Sequence, residues 1–301
     1  MDRIAGFGLS VCHSDVFLCW GWLSVKGRCV IDRVLDLDLD FFARPPHTGT
    51  TEWDRAPQDI YKTLLGGEDV RKFLEERCGL SLQNKIPGCV VTEHCEAFGI
   101  WKQWRQAGIL GSLFEVVHVD AHADLGAGFP NPTYKYLNTE LLTLPIGDRS
   151  NPRFADDAIN SGNYLIAAIA CGWLSNLSYV HPTRVITDDD LNTNRTLQLQ
   201  LMVSPESREW IETPHDIPPW IFKDVMGTDF GAVIQLGIKL SDNDGSPIHD
   251  SLEPELPFTV IDESKFSSSG FTHIILSQSP KYSPVLLDDL MTVIKEYFSL
   301  V

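Results

Sequence analysis

The sequence predicts a three-layer α/β fold: a mainly parallel sheet with helices on both faces. Short apolar runs alternate with helix-period segments through much of the chain, a β-α-β rhythm. The 301 residues, 43% hydrophobic and 22% charged, suit one large α/β domain covering 1–301. Neither an internal repeat nor a low-complexity tract interrupts that pattern.

The elements follow in order. Residues 4–42 read as strands, with apolar and β-branched runs at Ile4–Val11, Val16–Val25 and Cys29–Phe42 and a turn at Lys26-Gly27. Asp59–Arg77 reads as an interrupted helix or a pair of helices, broken at Gly66-Gly67, with Gly79 as a C-terminal cap. Cys89–Val91 is a short buried strand, after which Ala97, Trp101, Trp104 and Gly108 share one helix face. Val116–Val119 is the next strand. Ser161 can cap a helix running to Trp173, and Leu177–Val180 is again strand-like. Val185–Thr187, Ala232–Ile238 and His273–Leu276 add strands, and Val285–Phe298 closes the chain as an amphipathic helix. Gly126–Arg153 and Asp242–Pro257, rich in Gly, Pro, Asn and Asp, read as long loops of the kind that often face substrate.

Composition excludes several classes of partner. A net charge of −17 with no basic run repels phosphate backbones, so nucleic acid is not expected. No apolar stretch reaches the roughly 18 residues of a membrane span, and the N-terminus shows no signal-peptide core. A cytoplasmic protein is expected. The seven cysteines are odd in number and form no Cys-x-x-Cys pair, which indicates neither a disulfide framework nor a zinc ribbon. An acidic surface attracts cationic ligands, but it also simply keeps a protein soluble.

Two acidic runs carry the chemistry. In Val34-Leu35-Asp36-Leu37-Asp38-Leu39-Asp40-Phe41-Phe42, strand periodicity puts the leucines on one face and the three aspartates on the other. Carboxylates this close raise one another's pKa unless cations lie opposite. In Val116-Val117-His118-Val119-Asp120-Ala121-His122-Ala123-Asp124, a buried strand runs into Asp-x-His-x-Asp, whose three polar side chains point the same way if extended. Alternating carboxylate and imidazole suits a borderline divalent ion such as manganese. Calcium prefers all-oxygen shells and structural zinc prefers thiolates. His94, in Thr92-Glu93-His94-Cys95-Glu96-Ala97, falls where a strand gives way to a helix. The ends of parallel strands face one crevice, so His94 and Asp120 can converge there.

Together these segments resemble the arginase, agmatinase and deacetylase superfamily. The nearer resemblance is to a divergent branch that includes the peptide arginases of ribosomal peptide (proteusin-type) pathways, enzymes that convert arginine side chains of a precursor peptide to ornithine. It is carried by His94–Ala97, His118–Asp124, Ser161-Gly162-Asn163, Asp36–Phe42 and Ser277-Gln278-Ser279-Pro280. It implies two Mn2+ per chain. His94, Asp120, Asp124 and Asp38 would surround one ion and Asp120, His122, Asp38 and Asp40 the other, with Asp120 and Asp38 bridging. Asp36 matches a position that supports the ligands, although a pairing of Asp36 with Asp38 stays open. Water would attack the guanidinium carbon, urea would leave, and Asp124 would carry the proton.

The resemblance also implies an arginase-like fold with a permuted strand order, because here the Asp-rich strand precedes the Asp-x-His-x-Asp strand, the reverse of ordinary arginases. Circular permutation can preserve such a site, since chain termini often lie close together. No histidine shortly after Asp124 supplies a proton shuttle, which leaves His181 and His273 as strand-end candidates. Glu96, or else Glu93, is the carboxylate expected to anchor the substrate cation. A helix N-terminal glutamate explains Glu96 equally simply. Asn163 is a substrate-binding or helix-capping candidate, and Ser277 and Ser279 are further substrate candidates. The expected partner is an arginine-containing precursor peptide, and a homo-oligomer is left open. Free arginine or agmatine as substrate, amide hydrolysis of the deacetylase kind, and a non-catalytic metal-containing interaction protein are the alternatives.

Overall fold

A computed structural model describes residues 31–45, 53–125, 136–137, 140–155, 158–183, 220–223, 231–236 and 252–301, all within the unit Ile31–Val301. The strands expected over residues 4–25 and at Val185–Thr187 lie outside them. The described strands are β1 (Asp32–Asp38), β2 (Ala43–Arg44), β3 (Thr63–Leu64), β4 (Ile86–Val91), β5 (Phe114–Val119), β6 (Leu174–His181), β7 (Trp220–Lys223), β8 (Gly231–Leu236), β9 (Leu252–Asp262), β10 (His273–Ser277) and β11 (Phe298–Leu300). The helices are α1 (Gly67–Lys72), α2 (Glu96–Ala107), α3 (Tyr164–Ala170) and α4 (Asp288–Ile294).

One nine-stranded sheet runs in the order β11-β4-β10-β1-β5-β6-β9-β8-β7. Its first seven strands are mutually parallel, and β8 and β7 continue it antiparallel. Side-chain alternation divides the core between two faces. Val34, Phe114, Val116 and Ile275 pack with Trp101 of α2 and with Leu165 and Ile169 of α3. Leu35, Leu37, Val117, Val119, Ile274 and Leu276 pack with Val70 of α1 and with Leu290 and Ile294 of α4. The expected three-layer α/β architecture is therefore present. Among the described residues no helix is long and apolar enough to cross a membrane.

The strand order creates the crevice. From β1 the chain reaches β4 on one side and then β5 on the other. Successive connections thus leave the sheet's centre in opposite directions, which opens a cleft at the carboxyl ends of these strands. At Gly88 of β4 a Cβ would overlap the side chains of Phe298 and Ile274. Only glycine leaves room there for the Phe298 and Ile274 side chains of the flanking strands to lie over β4.

Several boundaries differ from the sequence reading, each for a local reason. The strand expected to reach Phe42 stops at Asp38, because the Asp38 carboxylate accepts the Asp40 N–H and turns the chain into a 3-10 turn over Leu39–Phe42. The first half of the expected helix at Asp59–Arg77 is instead a 3-10 turn (Gln58–Ile60) and strand β3, paired with β2; only α1 and the π-helical turn Phe73–Arg77 are helical. Gly79 follows them with φ of 62°, a conformation glycine adopts without strain. Asn163, not Ser161, occupies the N-cap position of α3.

Part of the expected loop Asp242–Pro257 is strand, since β9 begins at Leu252. Its prolines resemble loop residues. Pairing with β6 starts only at Phe258, so Pro254 and Pro257 occupy a stretch bonded to β8 alone, where a missing N–H is tolerated. Within the loop expected at Gly126–Arg153, short turns at Leu141–Thr143 and Ile146–Asp148 bury Leu141, Leu142 and Arg149. The last expected helix narrows to α4 between two 3-10 turns, and Phe298 belongs to the edge strand β11. The described cysteines are free thiols, Cys78 and Cys171 buried and Cys89 and Cys95 half-buried.

Candidate metal centre

The sequence dictates where the acidic runs emerge. Asp36 and Asp38 share the parity of Val34 on β1, and His118 and Asp120 that of Val116 on β5, so all four point to the face covered by α2 and α3. β1 and β5 are direct neighbours, with Asp36 level with His118. His94 arrives from the turn between β4 and α2, and Ser277 and Ser279 from the end of β10, the strand between β4 and β1.

These side chains meet in the interior. Asp36, Asp38, Asp40, His94, His118 and Asp120 are each at most 3% exposed, a depth at which unpaired charges are not tolerated. Three carboxylates follow one rule: one oxygen is fixed by a backbone N–H and the other faces an imidazole. Asp38 Oδ1 accepts from Asp40 N, and Asp38 Oδ2 lies 3.0 Å from His94 Nδ1. Asp120 Oδ1 accepts from His122 N at 2.7 Å, and Asp120 Oδ2 lies 2.8 Å from His94 Nδ1. Asp40 Oδ1 accepts from Ala121 N, and Asp40 Oδ2 lies 2.9 Å from His122 Nδ1. Asp124 Oδ2 stands further back, 3.5 Å from His94 Nδ1.

That convergence fits a cation. His94 Nδ1 has three carboxylate oxygens within 3.5 Å yet makes a hydrogen bond to none, and Asp40 Oδ2 also lacks a hydrogen-bond partner. Buried polar atoms gathered around a point without bonding one another can serve as the donor set of a metal ion. Ligand atoms lie within 4.8 Å of one another in Asp38-His94-Asp120, in Asp40-Asp120-His122, in His118-Asp120-Asp124 and in Asp36-His94-His118. The first two triads share Asp120. The cluster can thus hold a metal ion.

Electrostatics agree. Burial alone would lower the His94 pKa, but the charge of Asp36 and the close carboxylates of Asp120 and Asp38 raise it well above the ordinary value, and His122 behaves likewise beside Asp40 and Asp120. Burial and then the charges of Asp120 and Asp38 push Asp40 well up, whereas the surrounding histidines hold Asp120 well down against its own burial. Burial and the Asp120 charge bring Asp124 to about 7. Without a metal, protons must supply the missing positive charge.

A pH prediction follows. Raised His94, His122 and Asp124 values stabilise the metal-free fold below the ordinary values of 6.5 for histidine and 3.8 for aspartate; this is lost as pH rises through the folded-state values, about 7 for Asp124. A bound metal ion would replace those protons. The rise in Tm on adding Mn2+ should therefore be larger at about pH 8 than at about pH 6. Melting curves with and without metal at both pH values check this, and an equal or smaller increment at the higher pH contradicts it.

Two site residues adopt left-handed backbone conformations, Asp124 at φ 49° and Ser279 at φ 45°. Such strain away from glycine gathers where side chains must be aimed. The Ser279 hydroxyl donates to Asp38 Oδ2 and lies 2.8 Å from Ser277 Oγ, so this pair holds a candidate ligand. Asn163 is buried and ties its own loop, accepting from Asn160 N and donating to Ala158 O. Glu96 is exposed and accepts the Thr92 N–H at the start of α2; Glu93 is half-buried. His273 opens β10, at the sheet end opposite the cluster, and its Nδ1 lies 2.8 Å from Thr272 Oγ1, so it cannot serve there as a shuttle. His181 closes β6 on the cluster's side of the sheet.

Sequence reasoning gave no role to His118 or Tyr164. The first was detectable, because a histidine inside an apolar strand at the same parity as Asp120 must enter the same interior. Tyr164 carried no such signal. It opens a helix whose seven residues are all buried, and its hydroxyl donates to Asp36.

Fold and site together define a three-layer α/β protein with a buried Asp/His cluster at the carboxyl edge of a parallel sheet. No known family model matches the chain, and no curated protein matches it.

Proposed function

We propose that this chain is a Mn2+-dependent hydrolase of the arginase type, holding two ions and cleaving the guanidinium of arginine residues in a precursor peptide to ornithine and urea. The observation that carries the reading is the pair of ligand triads sharing Asp120. Adjacent sites with a common carboxylate suit two divalent ions, and the motifs themselves, although permuted in order, resemble those of the peptide-arginase branch. The ion pair would supply Lewis-acid activation of water at neutral pH.

The chain's own residues supply the rest. His122, with a side chain 15% exposed, and Asp124, at 8%, are the most accessible members of the cluster, so substrate enters on their flank. The Tyr282 ring packs 4.8 Å from the His122 ring and bounds that side. Asp124 stands further from His94 than Asp38 and Asp120 do, in a strained conformation, which suits it to accept a proton from the attacking water and return it to the departing amine. Four carboxylates balance two divalent ions, leaving no excess positive charge to repel a guanidinium. Glu93 and Glu96 are the anchors proposed for it. The site uses no nucleic acid or membrane and belongs to a cytoplasmic protein.

The test is direct. Manganese-loaded protein incubated with arginine-containing peptides should release urea and lower peptide mass by the difference between arginine and ornithine. Urea from free arginine but from no peptide would refute peptide selectivity, and no urea from peptide, arginine or agmatine would refute the arginase reading.

A further inference from the structure

We infer that Asp36 is the positioning residue that selects the ligating atom of His94, and that Tyr164 and His118 hold Asp36 in place for this. The inference rests on the metal reading above and extends it to residues outside the proposed ligand set.

The two nitrogens of His94 keep different company. Nδ1 faces Asp38, Asp120 and Asp124 at 3.0, 2.8 and 3.5 Å. Nε2 faces Asp36 alone, 3.2 Å from Oδ1, an approach short of hydrogen-bond geometry, and neither atom has any other partner. A neutral imidazole carries one N–H and one lone pair. A carboxylate only accepts, so Asp36 favours the tautomer protonated on Nε2 and leaves the lone pair on Nδ1, toward the carboxylates. A carboxylate behind a ligating histidine fixes both its tautomer and its ring orientation.

Asp36 is itself held. Its Oδ2 accepts from the Tyr164 hydroxyl at 2.6 Å and lies 3.0 Å from His118 Nδ1, and all three residues are fully buried. The same two side chains clamp the His94 ring, with centroids 5.0 Å (Tyr164) and 5.2 Å (His118) away at interplanar angles of 36° and 35°. His118 Nε2 lies 3.0 Å from the His122 carbonyl, which ties the network to the Asp-x-His-x-Asp segment. One residue from each of β1, β5 and α3 thus defines the orientation of an imidazole that arrives on a turn. Asp36, His94 and His118 also have ligand-like spacing among themselves, so a third ion in that position is the competing account.

Calorimetric titration of the metal-stripped full chain with Mn2+ separates these accounts. The wild type should show two binding events. Asp36→Asn should weaken one by about 10–100-fold and leave the other nearly unchanged, because the triad of Asp40, Asp120 and His122 does not use His94. Tyr164→Phe, which removes only a hydroxyl, should weaken the same event by a smaller factor and carries the test if Asp36→Asn fails to fold. The visible spectrum of the Co2+-loaded protein should change in both variants, as a reoriented ligand requires and a merely looser fold does not. Two events of unchanged affinity in the variants, or equal weakening of both, overturn the inference while leaving the metal reading intact. A third ion in the wild type that Asp36→Asn removes overturns it in favour of direct ligation. A wild type that binds no divalent ion overturns both.

Discussion

Asp120→Ala is expected to abolish binding at both metal positions and to lower urea release by about a thousandfold or more, well beyond the 10–100-fold that loss of a supporting outer partner costs. The reason is geometric. Asp120 belongs to both triads: Oδ2 lies 2.8 Å from His94 Nδ1, and Oδ1 lies 3.4 Å from His122 Nδ1. No other aspartate faces both imidazoles at these distances among the described residues. The β5 backbone stays paired with β1 and β6, but the buried imidazoles of His94 and His118 lose a compensating carboxylate, so circular dichroism must show the variant folded before its metal content is read. Metal analysis and a urea assay on purified variant and wild type check this. Two tightly bound ions in the variant would contradict the shared-ligand geometry.

Trp101→Ala is the largest stability change expected, a loss of about 3–5 kcal/mol by denaturant titration. Trp101 is fully buried on α2, its ring 5.6 Å from that of Phe114 on β5 and 5.8 Å from that of Tyr164 on α3. Truncation opens a cavity between helix layer and sheet, and it releases the tyrosine that supports Asp36. Trp101→Phe should cost less than half as much, because it keeps a ring in place and removes an indole N–H that has no hydrogen-bond partner. Equal losses for both variants would show that ring packing is not what Trp101 contributes.

Legibility in the sequence followed physical cause. β5 was readable because Val116, Val117 and Val119 are apolar on both faces of a central strand, and the metal-site carboxylates were readable because period 2 places them on one side. Asp40 shows where that reasoning stopped. Its place in the cluster does not come from strand parity: the Asp38 carboxylate ends the strand, and the following turn returns Asp40 to the Ala121 N–H. β9 was partly hidden because Pro254 and Pro257 resemble loop residues unless the one-sided pairing is known. Tyr164 was hidden because nothing local distinguishes a helix-opening tyrosine that hydrogen-bonds into a distant strand from one that packs. Contacts such as Tyr164 to Asp36 depend on strand order, which single-strand patterns do not encode.

Metal stoichiometry of the wild-type chain tests the paired site most directly. Stripped protein titrated with Mn2+ and read by electron paramagnetic resonance should take up two equivalents, with the isolated-ion signal diminishing as the second position fills and the ions couple. Uptake of a single equivalent, or two that never couple, would contradict a site built around a shared Asp120.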